Sequence, residues 1–250
     1  MAYSIVLDTE TAPMFGRKTA KPEPWNSLVY DLGLVVVNNK TGQPVCTRSF
    51  AIQETFGEPR TMRSAFYADK LPAYYVGMYY GPQRGADASR DEWRVVPFRE
   101  AMAEVTHLVE AYDVRKVWAY NVRFDQAALD NTARYLSNGF IRFFLPEGVE
   151  WCDIWDYADC LTGSRAYVNY CAEQNLFTPN GNPKTNVEAV YGYVMHNPEH
   201  VERHTALSDA QEEAVILSAA RKCHKSKSTS RGQGWRKAAA AYKAYLAAQE

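Results

Sequence analysis

Apolar and polar positions alternate along this chain in a way that predicts strands first and helices later. Tyr3-Ser4-Ile5-Val6-Leu7 reads as a buried strand running into Asp8-Thr9-Glu10. Thr11 to Ser27, rich in Pro, Lys and Gly, reads as a loop. Leu28 to Val37 is a second buried strand, Asn38-Asn39-Lys40-Thr41-Gly42 a hairpin turn, and Cys46 to Ile52 the return strand. Further short strands are predicted at Lys116–Tyr120 and Trp151–Ile154. Helical periodicity marks Pro97 to Tyr112, with Phe98, Met102, Val105 and Val109 as its buried stripe. It marks Phe124 to Leu136 next, then about 155–162, 166–175 and 186–195, and then 206–222. Asn180-Gly181-Asn182-Pro183 is a turn before the third of these short helices. Lys225 to Gly234 reads as a linker, and Gly234 to Ala248 as an Ala-rich helix.

These elements predict one α/β domain over residues 1–223, a mixed central sheet flanked by helices. An insertion interrupts it at about 54–95, a helical segment followed by a polar loop. Residues 224–250 are a basic linker and C-terminal helix. Phe66, Tyr67, Tyr74, Tyr75, Tyr79 and Tyr80 crowd the insertion, where they either pack in a core or stack on bases.

The chemistry begins at Asp8 and Glu10. Strand side chains have period two, so the two carboxylates point the same way. Adjacent anions repel unless a cation lies between them, and an oxygen-rich site suits Mg²⁺ or Mn²⁺. The plainer reading is a solvated Asp-x-Glu at a strand end. Asn121-Val122-Arg123-Phe124-Asp125 follows a later strand and places Asp125 at a helix start, where the helix dipole alone could account for it. His204-Thr205-Ala206-Leu207-Ser208-Asp209 opens the late amphipathic helix. His204 is either a capping or surface histidine or a general base, the only group in these motifs with a suitable intrinsic pKa.

In this order, Asp8/Glu10, Asp125 and His204/Asp209 resemble the three motifs of the DnaQ-like 3′–5′ exonucleases, the DEDDh branch of the DEDD superfamily. The resemblance covers residues 3 to about 220, and Tyr30-Asp31-Leu32-Gly33 is similar to a further acidic-apolar-Gly signature. Ala12-Pro13 departs from the family's usual Thr-Gly after the first motif. The resemblance implies a ribonuclease-H-like fold and two Mg²⁺ or Mn²⁺ ions held by Asp8, Glu10, Asp125 and Asp209. It implies His204 as the base that takes the proton from the attacking water, and Thr9, Thr11, Asn121 and Phe124 beside the terminal nucleotide. Asp153 stands where the family often has an acid, with no ligand role. The implied activity is release of nucleoside monophosphates from nucleic-acid 3′ ends, DNA first and RNA as the alternative. A polymerase or a replication or repair factor is an admissible partner. The alternatives from other classes are a catalytically silent nucleic-acid- or polymerase-binding module and a structural metal-binding domain.

Composition narrows the setting. With 250 residues, 46% hydrophobic and 23% charged, the chain can bury one sizeable core. No run reaches transmembrane length, so no membrane role is expected. With a strand beginning at Tyr3, no signal peptide is expected. Five scattered cysteines without a Cys-x-x-Cys pair argue against zinc or a disulfide framework and fit reduced thiols in a cytoplasm. Net charge is −1, but residues 221–250 carry eight Lys/Arg and one acid, a tail of +7 against −8 for the rest. Such a tail either meets a phosphate backbone or balances an acidic body. Its Ala-rich part can also dock as a structural helix.

Overall fold

The computed structural model describes residues 2–14, 23–65, 93–226 and 234–248. Six strands form one mixed sheet: β1 (Tyr3–Pro13), β2 (Ser27–Asn38), β3 (Pro44–Ile52), β4 (Trp93–Val96), β5 (Lys116–Ala119) and β6 (Glu150–Asp153). Their order is β4-β3-β2-β1-β5-β6. The first three strands form an antiparallel meander, while β5 pairs parallel to β1 and β6 parallel to β5. The hairpin at 38–42 forms as expected, with Gly42 at φ 75°, a turn conformation glycine adopts without strain.

Central strands covered on both faces read as near-continuous apolar runs, which is why β1 and β2 are legible in the sequence. Ile5 and Leu7 face one layer with Leu32, Leu34 and Val36. Val6 faces the other with Val35 and Val37. The first layer is closed by α3 (Phe98–Ala111) and α4 (Arg123–Leu136). The second is closed by α5 (Ile154–Tyr157), α6 (Asp159–Thr162), α7 (Arg165–Glu173), α8 (Val187–Met195) and α9 (Ala206–Ser226). The expected stripe of α3 is buried at Phe98, Val105 and Val109, with Met102 packed beside it. Ala101 and Leu108 complete that face.

Several boundaries differ from the sequence reading. Thr11 to Pro13 continue β1 instead of opening a loop, pairing with Val29, Leu28 and Ser27 after a register shift at Glu10/Thr11. The β-branched Thr9 and Thr11 suit that extension, and Ala12-Pro13 is thereby part of the sheet. Pro24–Asn26 is a 3-10 turn. Residues 53–56 and 59–62 form two short helices, α1 and α2. Trp93–Val96, of which the sequence reading put residues 93–95 in the insertion, is an edge strand parallel to β3. Four residues are too short for a period-two signal, and the pairing partner lies some 40 residues away. The aromatic cluster from Phe66 to Tyr80 lies outside the described residues. The helix expected at 155–162 is split at Ala158 into α5 and α6. Helix α9 runs to Ser226, so Lys225 and Ser226 are helical and not linker.

The C-terminal helix α10 (Gly234–Ala247) packs against α5, α6 and α7. Ala238 is fully buried, and the Tyr242 ring lies 4.8 Å from that of Phe177. Arg221, counted in the basic tail, is taken up by the body: its guanidinium lies over the Trp118 ring and donates to Ser4 Oγ at 3.2 Å. These contacts favour the docked-helix reading of the tail. Deleting residues 234–250 is therefore expected to cost roughly 3 kcal/mol, the burial of one to two large side chains. That lowers Tm by roughly 5–10 °C. Melting curves of the truncated chain, together with its nucleic-acid affinity at several salt concentrations, check this. A native Tm with a reduced salt slope would instead assign the tail to phosphate contacts.

Candidate active site

The site forms where β1 passes the ends of the neighbouring elements. Alternation sends Asp8 and Glu10 to the face covered by α9 and Thr9 to the face covered by α4. Asp125, in the first turn of α4, reaches round the strand: Thr9 N and Thr9 Oγ1 both donate to its Oδ1, at 3.1 and 2.7 Å. Thr9 thus holds a carboxylate in place.

Helix α9 brings the third motif. Asp31 Oδ2 accepts from Ala206 N at 3.1 Å, anchoring the first residue of the helix to β2. Gly33, opposite Asp8 in the sheet, leaves room for the helix start: a Cβ there would lie 2.1 Å from the backbone of Ala206 and Leu207. The acidic-apolar-Gly signature is therefore the seat of α9. His204 precedes the helix in a left-handed conformation, φ 55°, and its backbone N–H opposes the upward shift of the Asp209 carboxyl. A non-glycine residue held there carries about 1 kcal/mol of strain.

Ligand atoms of Glu10, His204 and Asp209 lie within 4.8 Å of one another. All five motif residues line one cleft of about 570 Å³. Thr9, Thr11, Asn121 and Phe124 line it too. Asn121 occupies the left-handed region, which Asn tolerates, and its N–H donates to Asp153 Oδ1. Asp153 also accepts from Trp155 N, so this acid braces the strand ends beside the cleft. The opposite wall comes from Tyr120, Trp155 and residues 185–187. Tyr120 Oη donates to the Thr185 carbonyl and Trp155 Nε1 to Thr185 Oγ1, fixing that wall.

Two cleft carboxylates escaped the sequence reading. Glu213 stands one helical turn after Asp209, is 2% exposed, and accepts from Tyr120 N at 3.1 Å. Its four-residue spacing from Asp209 was a usable signal, since such positions share a helix face. Glu202 Oε2 lies 4.0 Å from His204 Nδ1.

So many acids in one place raise one another's pKa. Burial is the larger cause for Asp8, then Asp125, Glu213, Asp209 and Glu10. Glu10 is raised by burial, then by Asp209 and Asp31. Burial lifts Asp125 to about 7 against the opposing Thr9 hydrogen bonds, and burial with Glu202 lifts Asp209 to about 8. The donor set is oxygen-rich, and Asp209 Oδ1 is buried with no hydrogen-bond partner among the described residues. An acceptor left in that state, amid like charges, fits a hard divalent cation.

A carboxyl with a raised folded-state pKa binds its proton more tightly in the folded chain. Its contribution to stability is complete below the unfolded value near 4 and is lost as pH rises through the folded value. In chelator, the Tm of the chain is therefore expected to fall between about pH 5 and pH 8. Saturating Mg²⁺ or Mn²⁺ should flatten that fall. A Tm series across this range, with and without the ion, measures both.

No protein-family model matches the sequence, and no curated protein matches it. Solved structures do share its fold. The nuclease domain of 3′hExo, a DEDDh family member bound to rAMP, aligns with a TM-score of 0.53 and 13% identity, over 90% of this chain and 92% of that one. Exonuclease I of E. coli, in complex with a dT13 oligonucleotide, aligns with a TM-score of 0.54 and 11% identity, over 90% of this chain and 42% of that one. A 3′-exonuclease that recognises the 3′ end of a histone mRNA stem-loop aligns with a TM-score of 0.52 and 14% identity, over 90% and 64%. This chain spans under two thirds of the last two. The fold is the ribonuclease-H-like fold of the DnaQ-like DEDDh exonucleases. No helix among the described residues is long and apolar enough to cross a membrane.

Proposed function

We propose that the chain is a metal-dependent 3′–5′ exonuclease releasing nucleoside monophosphates, with DNA as the favoured substrate and RNA as the alternative. The observation that carries this is the convergence of Asp8, Glu10, Asp125, His204 and Asp209 on one cleft of this fold, from segments up to 201 residues apart. Asp8, Glu10, Asp125 and Asp209 are the residues that would hold two Mg²⁺ or Mn²⁺ ions. Bound there, such ions activate the water and neutralise charge on the attacking and leaving oxygens.

The chain's own residues do the rest. Thr9 fixes Asp125, and Asp31 with Gly33 fixes the start of α9. His204 takes the proton from the attacking water, with Glu202 on the Nδ1 side of its ring to stabilise the imidazolium. Thr11, Asn121 and Phe124 flank the terminal nucleotide, Phe124 offering an aromatic face to its base. Neighbours of this fold include one bound to rAMP and one bound to dT13, so chemistry on either sugar is compatible with the architecture.

The test is digestion of 5′-labelled single-stranded DNA, duplex DNA and RNA with Mg²⁺ and with Mn²⁺. A ladder shortening from the 3′ end supports the reading, and the faster substrate identifies the sugar. A bulky 3′ block should stop digestion, whereas a 5′ block should not. Binding without hydrolysis under every condition would return the chain to a silent binding module. His204→Ala is expected to lower single-turnover rate by about 10²–10⁴-fold while leaving divalent-ion affinity nearly unchanged. Turnover equal to wild type would remove the imidazole from proton transfer.

A further inference from the structure

At the far end of α9 from the cleft, a second group of ligand-type side chains meets. Helix α6 carries Asp159 and Cys160, and the last turns of α9 carry Cys223 and His224. Ligand atoms of Asp159, Cys160 and His224 lie within 4.8 Å of one another. Asp159 is 2% exposed and Cys160 8%. Cys160 Sγ donates to the Ala220 carbonyl at 3.7 Å, and burial together with the neighbouring Cys223 thiol pushes the Cys160 thiol up to about 12.

His224 supplies an independent observation. Its Nε2 lies 2.7 Å from the Tyr157 carbonyl oxygen. A carbonyl only accepts, so Nε2 carries the hydrogen and the neutral ring keeps its lone pair on Nδ1. The Tyr157 ring stacks on the imidazole at 4.1 Å, fixing its plane. A backbone carbonyl on one ring nitrogen is the outer contact that orients metal-ligating histidines.

We propose that Asp159, Cys160 and His224, with Cys223 as the fourth donor, form a binding site for a thiophilic divalent cation, Zn²⁺ by its donor set. Two sulfurs, one nitrogen and one carboxylate oxygen are the mixture such an ion takes in tetrahedral geometry. Its bonds of about 2.0–2.3 Å set donors roughly 3.3–3.8 Å apart, so small rotations would bring the Asp159, Cys160 and His224 atoms, now within 4.8 Å of one another, into the shell, and the Cys223 side chain, next to Cys160, would turn in as the fourth. The sequence argued against zinc because it has no Cys-x-x-Cys. Here the pairs Asp159-Cys160 and Cys223-His224 are 63 residues apart and are joined only by the packing of α6 on α9.

The site differs from the cleft in chemistry and position. The cleft offers carboxylates to a hard cation, whereas this group offers thiols. A cation here would tie α6 to α9 where α10 also packs on α6. Binding to the folded chain alone would then raise its stability. Each coordinating thiol would give up its proton to solvent on binding.

The test uses the full, reduced, chelator-stripped chain in excess Mg²⁺, titrated with Co²⁺. The expected result is one equivalent of Co²⁺ with intense tetrahedral visible bands and a thiolate-to-cobalt band in the near ultraviolet. Zn²⁺ should displace it and raise Tm. Cys160→Ser and His224→Ala should each weaken binding by at least about tenfold, and Cys223→Ser should reduce the thiolate band. Melting of each variant without metal shows whether it has folded. Lack of a thiolate band in the wild-type chain would overturn the assignment. So would a band that survives in both serine variants, or a reduced chain that ignores Co²⁺ yet forms a Cys160–Cys223 disulfide in air.

Discussion

Asp8→Asn is expected to abolish exonuclease activity while leaving the fold intact and, without metal, more stable. Asp8 stands mid-strand in β1, opposite Gly33 and between Leu7 and Thr9, so the backbone pairing survives the change. The amide keeps the size of the carboxylate and removes its charge. Asp125, Glu213, Asp209 and Glu10 all act on Asp8 to oppose ionisation, and one fewer anion relieves each of them. Charge stabilisation by catalytic cations is worth several kcal/mol, so the loss corresponds to at least about 10³-fold in rate. In chelator the Tm should rise, by roughly 2–4 °C for each kcal/mol of repulsion relieved. In saturating Mg²⁺ or Mn²⁺ the wild type should recover the lead, because it alone binds the ions with a full set. Turnover and paired melting curves test the two halves separately. Activity within tenfold of wild type would remove Asp8 from the metal-holding set. A variant that melts lower than wild type in chelator would show that the repulsion is not what limits the bare site.

The parts of this molecule that were legible are those with a local signature. β1 and β2 are apolar on both faces, and their runs read as buried strands without knowledge of the partner. Asp8 and Glu10 declared themselves through period two, and His204 and Asp209 through their place at a helix start. The residues that stayed hidden act across the chain. Asp31 is visible in the sequence as part of the acidic-apolar-Gly signature, but its role as the anchor of Ala206, 175 residues later, is not. Glu213 could be read as a solvated helix residue until Tyr120 N is found on its carboxylate. β4 has four residues and no period of its own, and only the neighbouring β3 makes it a strand. Asp159 and Cys160 likewise became a ligand pair only when α9 laid His224 beside them. Linear patterns report burial and local geometry, whereas these pairings depend on which helix packs on which strand.

Gly33→Ala shows how much of the site rests on such packing. Position 33 contacts neither His204 nor Asp209 through a side chain, and it sits in a strand where Ala is ordinarily acceptable. Its Cβ would lie 2.1 Å from Ala206 C and Leu207 N, and 2.3 Å from Ala206 O. Backbone atoms cannot rotate away, so the first turn of α9 must move or β2 must bend. Either movement breaks the Asp31–Ala206 hydrogen bond, which holds the helix start at 3.1 Å. It also carries His204 and Asp209 off Glu10. Misplacement of catalytic groups by about 1 Å can cost on the order of 10²-fold, and overpacking a tight core contact costs roughly 1–3 kcal/mol. The variant is therefore expected to lose at least about 10²-fold in rate and roughly 2–10 °C in Tm. Divalent-ion affinity should weaken as well, since Asp209 moves with the helix. The discriminating comparison is Asp31→Asn, which removes the charged anchor without adding a Cβ. It should lower rate and Tm in the same direction but by less. A Gly33→Ala chain with wild-type rate and ion affinity would show that α9 can shift without disturbing the cleft, and the seat on β2 would then have no part in building the site.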